Sequence, residues 1–157
     1  MRILFFLIPM VFLTISGCDN DRHHYSSGST HVHQPLKGGK LFELGPHGSG
    51  HNLELLINEK GLLELYILDA HADHYVRIKQ AAIELTLNDT NRSLPRSLLL
   101  HAVGDSATGE TVGNTALFRS THSVTEELPI TATITSLAIG SKTYTEQEIQ
   151  FMGNSTK

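Results

Sequence analysis

Apolar and polar side chains alternate with a period of two along most of the chain after Leu36. This alternation is typical of β-strands that bury one face, and no helical stretch longer than two turns interrupts it. Three prolines, Pro46, Pro95 and Pro129, fall at the boundaries of the apolar runs, where a missing amide donor is tolerated. Beyond a first hairpin, the pattern predicts strands at 82–87, 97–103, 115–119 and 130–139, a tight turn at 139–142, and a last strand near 149–151.

The clearest element is the hairpin over residues 52–68. A three-residue loop of Glu59, Lys60 and Gly61, with Gly61 in the left-handed conformation, pairs residues whose numbers sum to 120. This register places Glu54 and Glu64 on one face of the hairpin. It places six apolar side chains on the other face: Leu53, Leu55, Ile57, Leu63, Leu65 and Ile67. A four-residue loop would mix the two faces, so we predict the three-residue loop.

Seven to nine short antiparallel strands in about 115 residues predict an all-β fold, specifically an immunoglobulin-like β-sandwich. We expect this domain over residues 36–152, followed by a tail at 153–157. Residues 18–35 are polar and rich in histidine, which is typical of a flexible tether.

The first residues have the features of an export signal. Arg2 precedes an apolar run that ends in the small residues Ser16 and Gly17, before a lone Cys18. Residues 13–18 resemble the lipobox of bacterial lipoproteins, which implies a signal peptide at 1–17 and acylation of Cys18. The acyl chains, palmitate among them, would anchor the chain in the lipid bilayer. The alternative is a plain signal peptide.

The implied location is the bacterial cell envelope, with the domain facing the periplasm. Asp19 follows the lipidation site directly. In enteric bacteria an aspartate at this position favours the inner membrane, and the choice between inner and outer membrane stays open.

Composition excludes several functional classes. The chain has 157 residues, 39% of them hydrophobic and 18% charged, with a formal net charge of -4. This balance argues against a polytopic membrane protein, a basic nucleic-acid binder and a disordered acidic chain. The sequence contains no P-loop, dinucleotide fingerprint, nucleophile elbow or zinc-protease motif. We therefore expect no enzymatic activity and no nucleic-acid partner.

Histidine is the unusual residue, because eight of the ten lie between His23 and His74. Extending the hairpin register puts His51 opposite Asp69, with His71 two residues further on the same face. His47 and His74 lie in the adjoining irregular segments. These five residues are the predicted ligands of a divalent metal, either Zn or Cu(II), with nickel and cobalt also compatible with imidazole and carboxylate. The alternative is a hydrogen-bonded His–Asp pair that caps the core.

A second group of histidines lies in the predicted tether. His31 and His33 lie on one side of an extended segment and are candidates for a weak metal-binding arm. The alternative is a solvated polar linker. Because Cys18 is the only cysteine, a disulfide or a thiolate metal site is not expected once it is acylated.

Three stretches carry a resemblance to a known family: residues 37–45, 51–55 and 65–72. They resemble a small β domain near the N-terminus of periplasmic adaptor subunits of heavy-metal efflux pumps, which also occurs in stand-alone bacterial lipoproteins. His51, Asp69 and His71 match polar positions of the family pattern. This sequence departs from the pattern at Lys37, where the family has histidine, and at Asn52.

The resemblance implies a periplasmic heavy-metal context and a metal-efflux complex as a partner. At 157 residues, the chain is expected to be an isolated domain without the coiled-coil hairpin of a full adaptor. The resulting expectation is a non-enzymatic, membrane-anchored lipoprotein that binds a divalent transition metal in efflux or homeostasis. The alternative is a structural or protein-interaction lipoprotein that binds no metal.

Overall fold

The computed structural model describes residues 32–88 and 96–154. Within them lie eight β-strands and a single 3₁₀ turn at Thr125–Glu127. The strands are β1 (Lys40–Leu44), β2 (His51–Ile57), β3 (Leu62–Leu68), β4 (Ala82–Leu87), β5 (Arg96–Ala102), β6 (Leu117–Ser123), β7 (Ile130–Ile139) and β8 (Lys142–Phe151). Several predicted features lie outside the described residues: the signal peptide at 1–17, Cys18, Asp19, His31, Pro95 and residues 155–157.

All eight strands pair antiparallel in one sheet, in the order β1-β2-β3-β6-β5-β4-β7-β8. The sheet is nearly closed, because residues of β8 reach the start of β2 and the turn between β1 and β2. The Tyr144 hydroxyl lies 2.7 Å from His51 Nδ1, and the Lys142 ammonium donates to the Ser49 carbonyl. The all-β prediction is confirmed. The finer prediction of a sandwich is not confirmed, because the strands form one continuous hydrogen-bonded sheet.

The predicted hairpin register is confirmed. Leu53 pairs with Ile67, Leu55 with Leu65, and Ile57 with Leu63. In the turn, Gly61 has φ +76 and its N–H donates to the Asn58 carbonyl at 2.9 Å. Glycine adopts this left-handed conformation without steric cost, which is why the turn closes after three residues.

The inner face of the sheet carries the core. Five of the six apolar residues of the hairpin, along with Leu44 on β1, belong to one cluster with the later strands, and Ile57 packs against it. The fully buried members include Leu53, Leu55, Leu63, Leu65, Ile67, Ile83, Leu85, Leu100, Phe118, Ala132, Ile134 and Phe151. Alternate positions on β2, β3, β4 and β7 therefore supply one continuous apolar core.

Strand boundaries follow the sequence pattern closely in two cases. The bounds of β4 and β7 match the predicted strands at 82–87 and 130–139. The last strand differs, because β8 runs without interruption from Lys142 to Phe151 and pairs with β7 along its length. Polar residues occupy much of its exposed face, so the apolar pattern marks only its end at Ile149 and Phe151.

The outer face of the first hairpin is also covered. Glu54 is 0% exposed and Glu64 is 6% exposed, although both are charged and point away from the core. The carboxylate of Glu64 accepts from Asn58, Arg119 and the Tyr66 hydroxyl. Buried carboxylates need such partners, and those of Glu54 come from the residues that precede β1.

In the part of the chain that the structure describes, no helix has both the length and the apolar character needed to cross a membrane.

Candidate metal centre

The turn between β1 and β2 determines where His47 lies. The N–H groups of Ser49 and Gly50 both donate to the Pro46 carbonyl, at 3.1 and 3.0 Å. Gly48, with φ +75, lets the chain reverse there. His47 therefore lies in a tight turn just beyond the end of β1. Its Nδ1 is 2.9 Å from Glu43 Oε1.

Glu43 occupies the outer face of β1, opposite Asn52 of β2. His33, from the residues before β1, approaches the same carboxylate, with its Nδ1 4.0 Å from Glu43 Oε1. The imidazole rings of His33 and His47 are stacked, with centroids 4.8 Å apart and an interplanar angle of 13°. Two imidazoles and one carboxylate thus converge, and their candidate ligand atoms all lie within 4.8 Å of one another.

His71 borders this cluster from the turn that follows β3. Its ring centroid is 5.8 Å from that of His33, with the rings nearly perpendicular. Asn52 holds the turn, because its buried side-chain amide donates to the carbonyls of Asp69 and Ala70 at 2.8 and 3.2 Å. Asn52 therefore positions the turn that carries His71.

The cluster is open on one side. The side chain of His33 is only 6% exposed, whereas those of His47 and Glu43 are 42% and 49% exposed. An ion from solvent could reach the exposed pair directly. The buried imidazole of His33 would form the inner wall of such a site.

The predicted ligand set of His51, Asp69 and His71 does not form. Among residues 32–88 and 96–154, three or more ligand atoms come within 4.8 Å of one another only at His33, Glu43 and His47. The hairpin pairing ends at Asn52 and Leu68, so the register that predicted His51 opposite Asp69 does not extend that far. The chain turns after Leu68 and carries His71 to His33 instead.

Asp69 and His74 form a separate pair within that turn. Asp69 Oδ2 lies 3.1 Å from His74 Nδ1, and Oδ1 accepts from the Asp73 N–H at 2.9 Å. Desolvation raises the pKa of Asp69, but the hydrogen bonds from Asp73 and His74 outweigh it and leave the pKa below its usual value. Asp69 and His74 therefore form a hydrogen-bonded His–Asp pair, which was the alternative to a metal site, although the histidine is His74 and not His51.

His51 lies on the inner face, beside the edge of β8. Burial lowers the pKa of His51, the positive charge of Lys142 lowers it further, and Asp69 opposes both effects in part. The neutral imidazole forms its hydrogen bond with Tyr144. His51 is therefore separated by the sheet from the cluster at Glu43, which lies on the outer face.

Sequence reasoning identified two of the three converging residues as candidate metal ligands, but it placed them in different sites. It predicts His47 as a ligand beside His51 and His33 as part of a weak metal-binding arm with His31, and it does not single out Glu43. A signal for Glu43 does exist, since Phe42-Glu43-Leu44 alternates and His47 follows Glu43 by four residues. No local signal joins His33 to Glu43 and His47, because it is the fold that brings the residues before β1 onto the outer face.

The donor set has a definite chemical preference. Imidazole nitrogen and carboxylate oxygen suit zinc, cupric copper, nickel and cobalt, whereas soft cuprous or silver sites need thiolate or thioether. The residues present therefore fit a divalent transition metal. Comparison with protein-family models, with curated proteins and with solved structures finds no match to this chain.

Proposed function

We propose that this chain is a non-enzymatic lipoprotein of the bacterial cell envelope that binds a divalent transition metal on the outer face of its sheet, at β1 and the turn that follows it. The ligands are His33, Glu43 and His47, with His71 beside them. The single observation that carries the proposal is the convergence within 4.8 Å of ligand atoms from His33, Glu43 and His47, which belong to two separate segments of sequence.

The lipid anchor and the metal context complete the proposal. Cys18, at the end of a sequence that resembles a lipobox, is the attachment point for acyl chains. The resemblance to adaptor subunits of heavy-metal efflux pumps makes such a pump a candidate partner. In that role the protein would hold metal near the membrane as a buffer or as a donor to the efflux complex.

The test is calorimetric titration of the purified, chelator-stripped protein with zinc and with cupric ions. We expect one ion per chain with a dissociation constant of about 10 µM or tighter. His47→Ala should weaken binding by at least about tenfold, because it removes a ligand. His122→Ala is the matched control, since His122 is an exposed histidine outside the cluster, and it should leave the affinity unchanged. A wild-type dissociation constant of about 1 mM or weaker would contradict the proposal.

A second candidate function is a structural or protein-interaction lipoprotein without metal. It is favoured by the hydrogen bond between His47 and Glu43 and by the pair of Asp69 and His74, which satisfy these side chains without an ion. This reading predicts the same thermal unfolding midpoint with zinc and with chelator. Binding of an ion to the folded state alone would raise that midpoint.

A further inference from the structure

The residues before β1 form a strap, residues 32–39, that crosses the outer face of the first hairpin. The strap contacts β2 through Glu54. It approaches β3 at Tyr66, where the Lys37 ammonium lies 6.0 Å from the ring centroid. It approaches the turn after β1 through the stacked ring of His33. The strap is therefore held at both ends by side chains of the sheet.

The attachment at Glu54 is made by backbone amides. The N–H groups of Lys37 and Gly39 donate to Oε1, each at 2.8 Å, and that of Leu36 donates to Oε2 at 3.0 Å. Three amides around one fully buried carboxylate make charge-assisted hydrogen bonds, which are stronger than neutral ones. If the strap left, the carboxylate would lose all three donors and would be exposed to water.

The strap also fits closely against the sheet. A Cβ at Gly39 would lie 2.4 Å from the Leu55 carbonyl oxygen, so only glycine allows this approach. The neighbouring Gly38 has φ +77 and reverses the chain direction just before β1. The two glycines of the strap thus allow the backbone conformation in which three amides donate to Glu54.

The metal cluster is divided between the strap and the sheet. His33 lies on the strap, three residues before the first amide that Glu54 holds, whereas Glu43 and His47 lie on β1 and the turn after it. The three ligand atoms can converge only when the strap is docked. If docking of the strap raises the affinity for metal, metal binding must favour docking by the same factor, because coupling between two equilibria is reciprocal.

We infer that metal binding at His33, Glu43 and His47 is coupled to docking of the strap through Glu54. The inference rests on the proposed function. Glu54 is a positioning residue, which holds His33 in place without touching the ion. Since the strap lies between the proposed lipid attachment and the sheet, metal would set the length of chain that separates the domain from the membrane.

The first test is hydrogen exchange of the full chain with and without zinc. Zinc should slow exchange at the amides of Leu36, Lys37 and Gly39 by at least about tenfold beyond any change in the β4–β7 core amides. The second is calorimetry of Glu54→Gln, which should bind zinc about tenfold more weakly. Glu64→Gln is the matched control, because it alters a buried carboxylate of the same face that does not hold the strap; its zinc affinity should stay within about twofold of wild type.

A further pair of variants tests the coupling independently, in case Glu54→Gln does not fold. Leu36 is 43% exposed, so substitutions there should not disturb the core. Leu36→Pro removes one N–H donor to Glu54 and should weaken zinc binding, whereas Leu36→Ala keeps the donor and should not. If zinc binds to wild type but neither Glu54→Gln nor Leu36→Pro changes the affinity, the coupling is wrong and the proposed function stands. If wild type binds no zinc, the proposed function itself fails.

Discussion

His51 shows how the nearly closed sheet changes the chemistry of a single side chain. Its Nδ1 lies 2.7 Å from the Tyr144 hydroxyl across the gap between β2 and β8. Burial, and then the charge of Lys142, lower the pKa of His51 below 6.5, the value of an unperturbed histidine. The unfolded chain therefore takes up this proton at a higher pH than the folded protein does. The contribution of His51 to the free energy of unfolding is fully present above about pH 6.5. It falls as the pH drops through that value and levels off below the lowered pKa.

We predict that His51→Gln reduces the acid sensitivity of the protein. The free energy of unfolding, measured in urea at pH 7.5 and pH 5.5, should fall less in this variant than in wild type, because the half-buried histidine with the lowered pKa is gone. The control is His101→Gln, which alters an exposed histidine on β5 and should keep the wild-type loss. An equal loss in wild type and His51→Gln would contradict the assignment.

The β2–β3 hairpin illustrates how far local sequence determines an element. The alternating leucines and the turn at Gly61 predict the register that the structure has, because both are properties of adjacent residues. The same reasoning did not predict the ligand cluster. It extended the register past Leu68, where the turn held by Asn52 takes the chain away from His51. Register is a local property, but the point at which pairing ends is decided by tertiary contacts.

We predict that Gly61→Ala destabilises the protein by about 2 kcal/mol. Gly61 has φ +76, and a Cβ there would lie 2.4 Å from Ser123 Oγ. The matched control is Gly140→Ala in the β7–β8 turn, where φ is +60 and nothing lies within 4 Å of the added carbon. This control isolates the backbone cost of about 1 kcal/mol. Urea unfolding of the two variants measures the difference, and equal losses would show that the contact with Ser123 has no cost.

Closure of the sheet is a property of the whole domain. After β8 ends, the Asn154 side chain completes a strand-like pair with β2, accepting from the Ile57 N–H at 2.7 Å and donating to the Ile57 carbonyl at 2.6 Å. Together with Tyr144 and Lys142, Asn154 connects β8 and the residues after it to β2 and to the turn between β1 and β2. These contacts join residues more than 90 positions apart, and nothing in the local pattern of either segment indicates them.

We predict that Asn154→Ala lowers the free energy of unfolding by about 1 kcal/mol, since two hydrogen bonds at a partly exposed edge are lost. Exchange at the Ile57 amide should accelerate more than exchange at Leu65 in the core. Asn88→Ala is the control, because within the described residues the Asn88 side chain makes one exposed hydrogen bond, to Thr133, and it should cost less. Unchanged exchange at Ile57 in Asn154→Ala would contradict a role in closure.

The sequence by itself determined the all-β class, the bounds of β4 and β7, the hairpin register and the apolar face of that hairpin. These depend on side-chain alternation and turn chemistry, which act between neighbouring residues. Only the tertiary structure decided that Glu54 is buried beneath the strap, that β1 and β8 approach each other, and that His33 meets Glu43 and His47. Each of these depends on which distant segment covers a given face of the sheet. Period-two alternation specifies that a face exists, but it does not specify what covers that face.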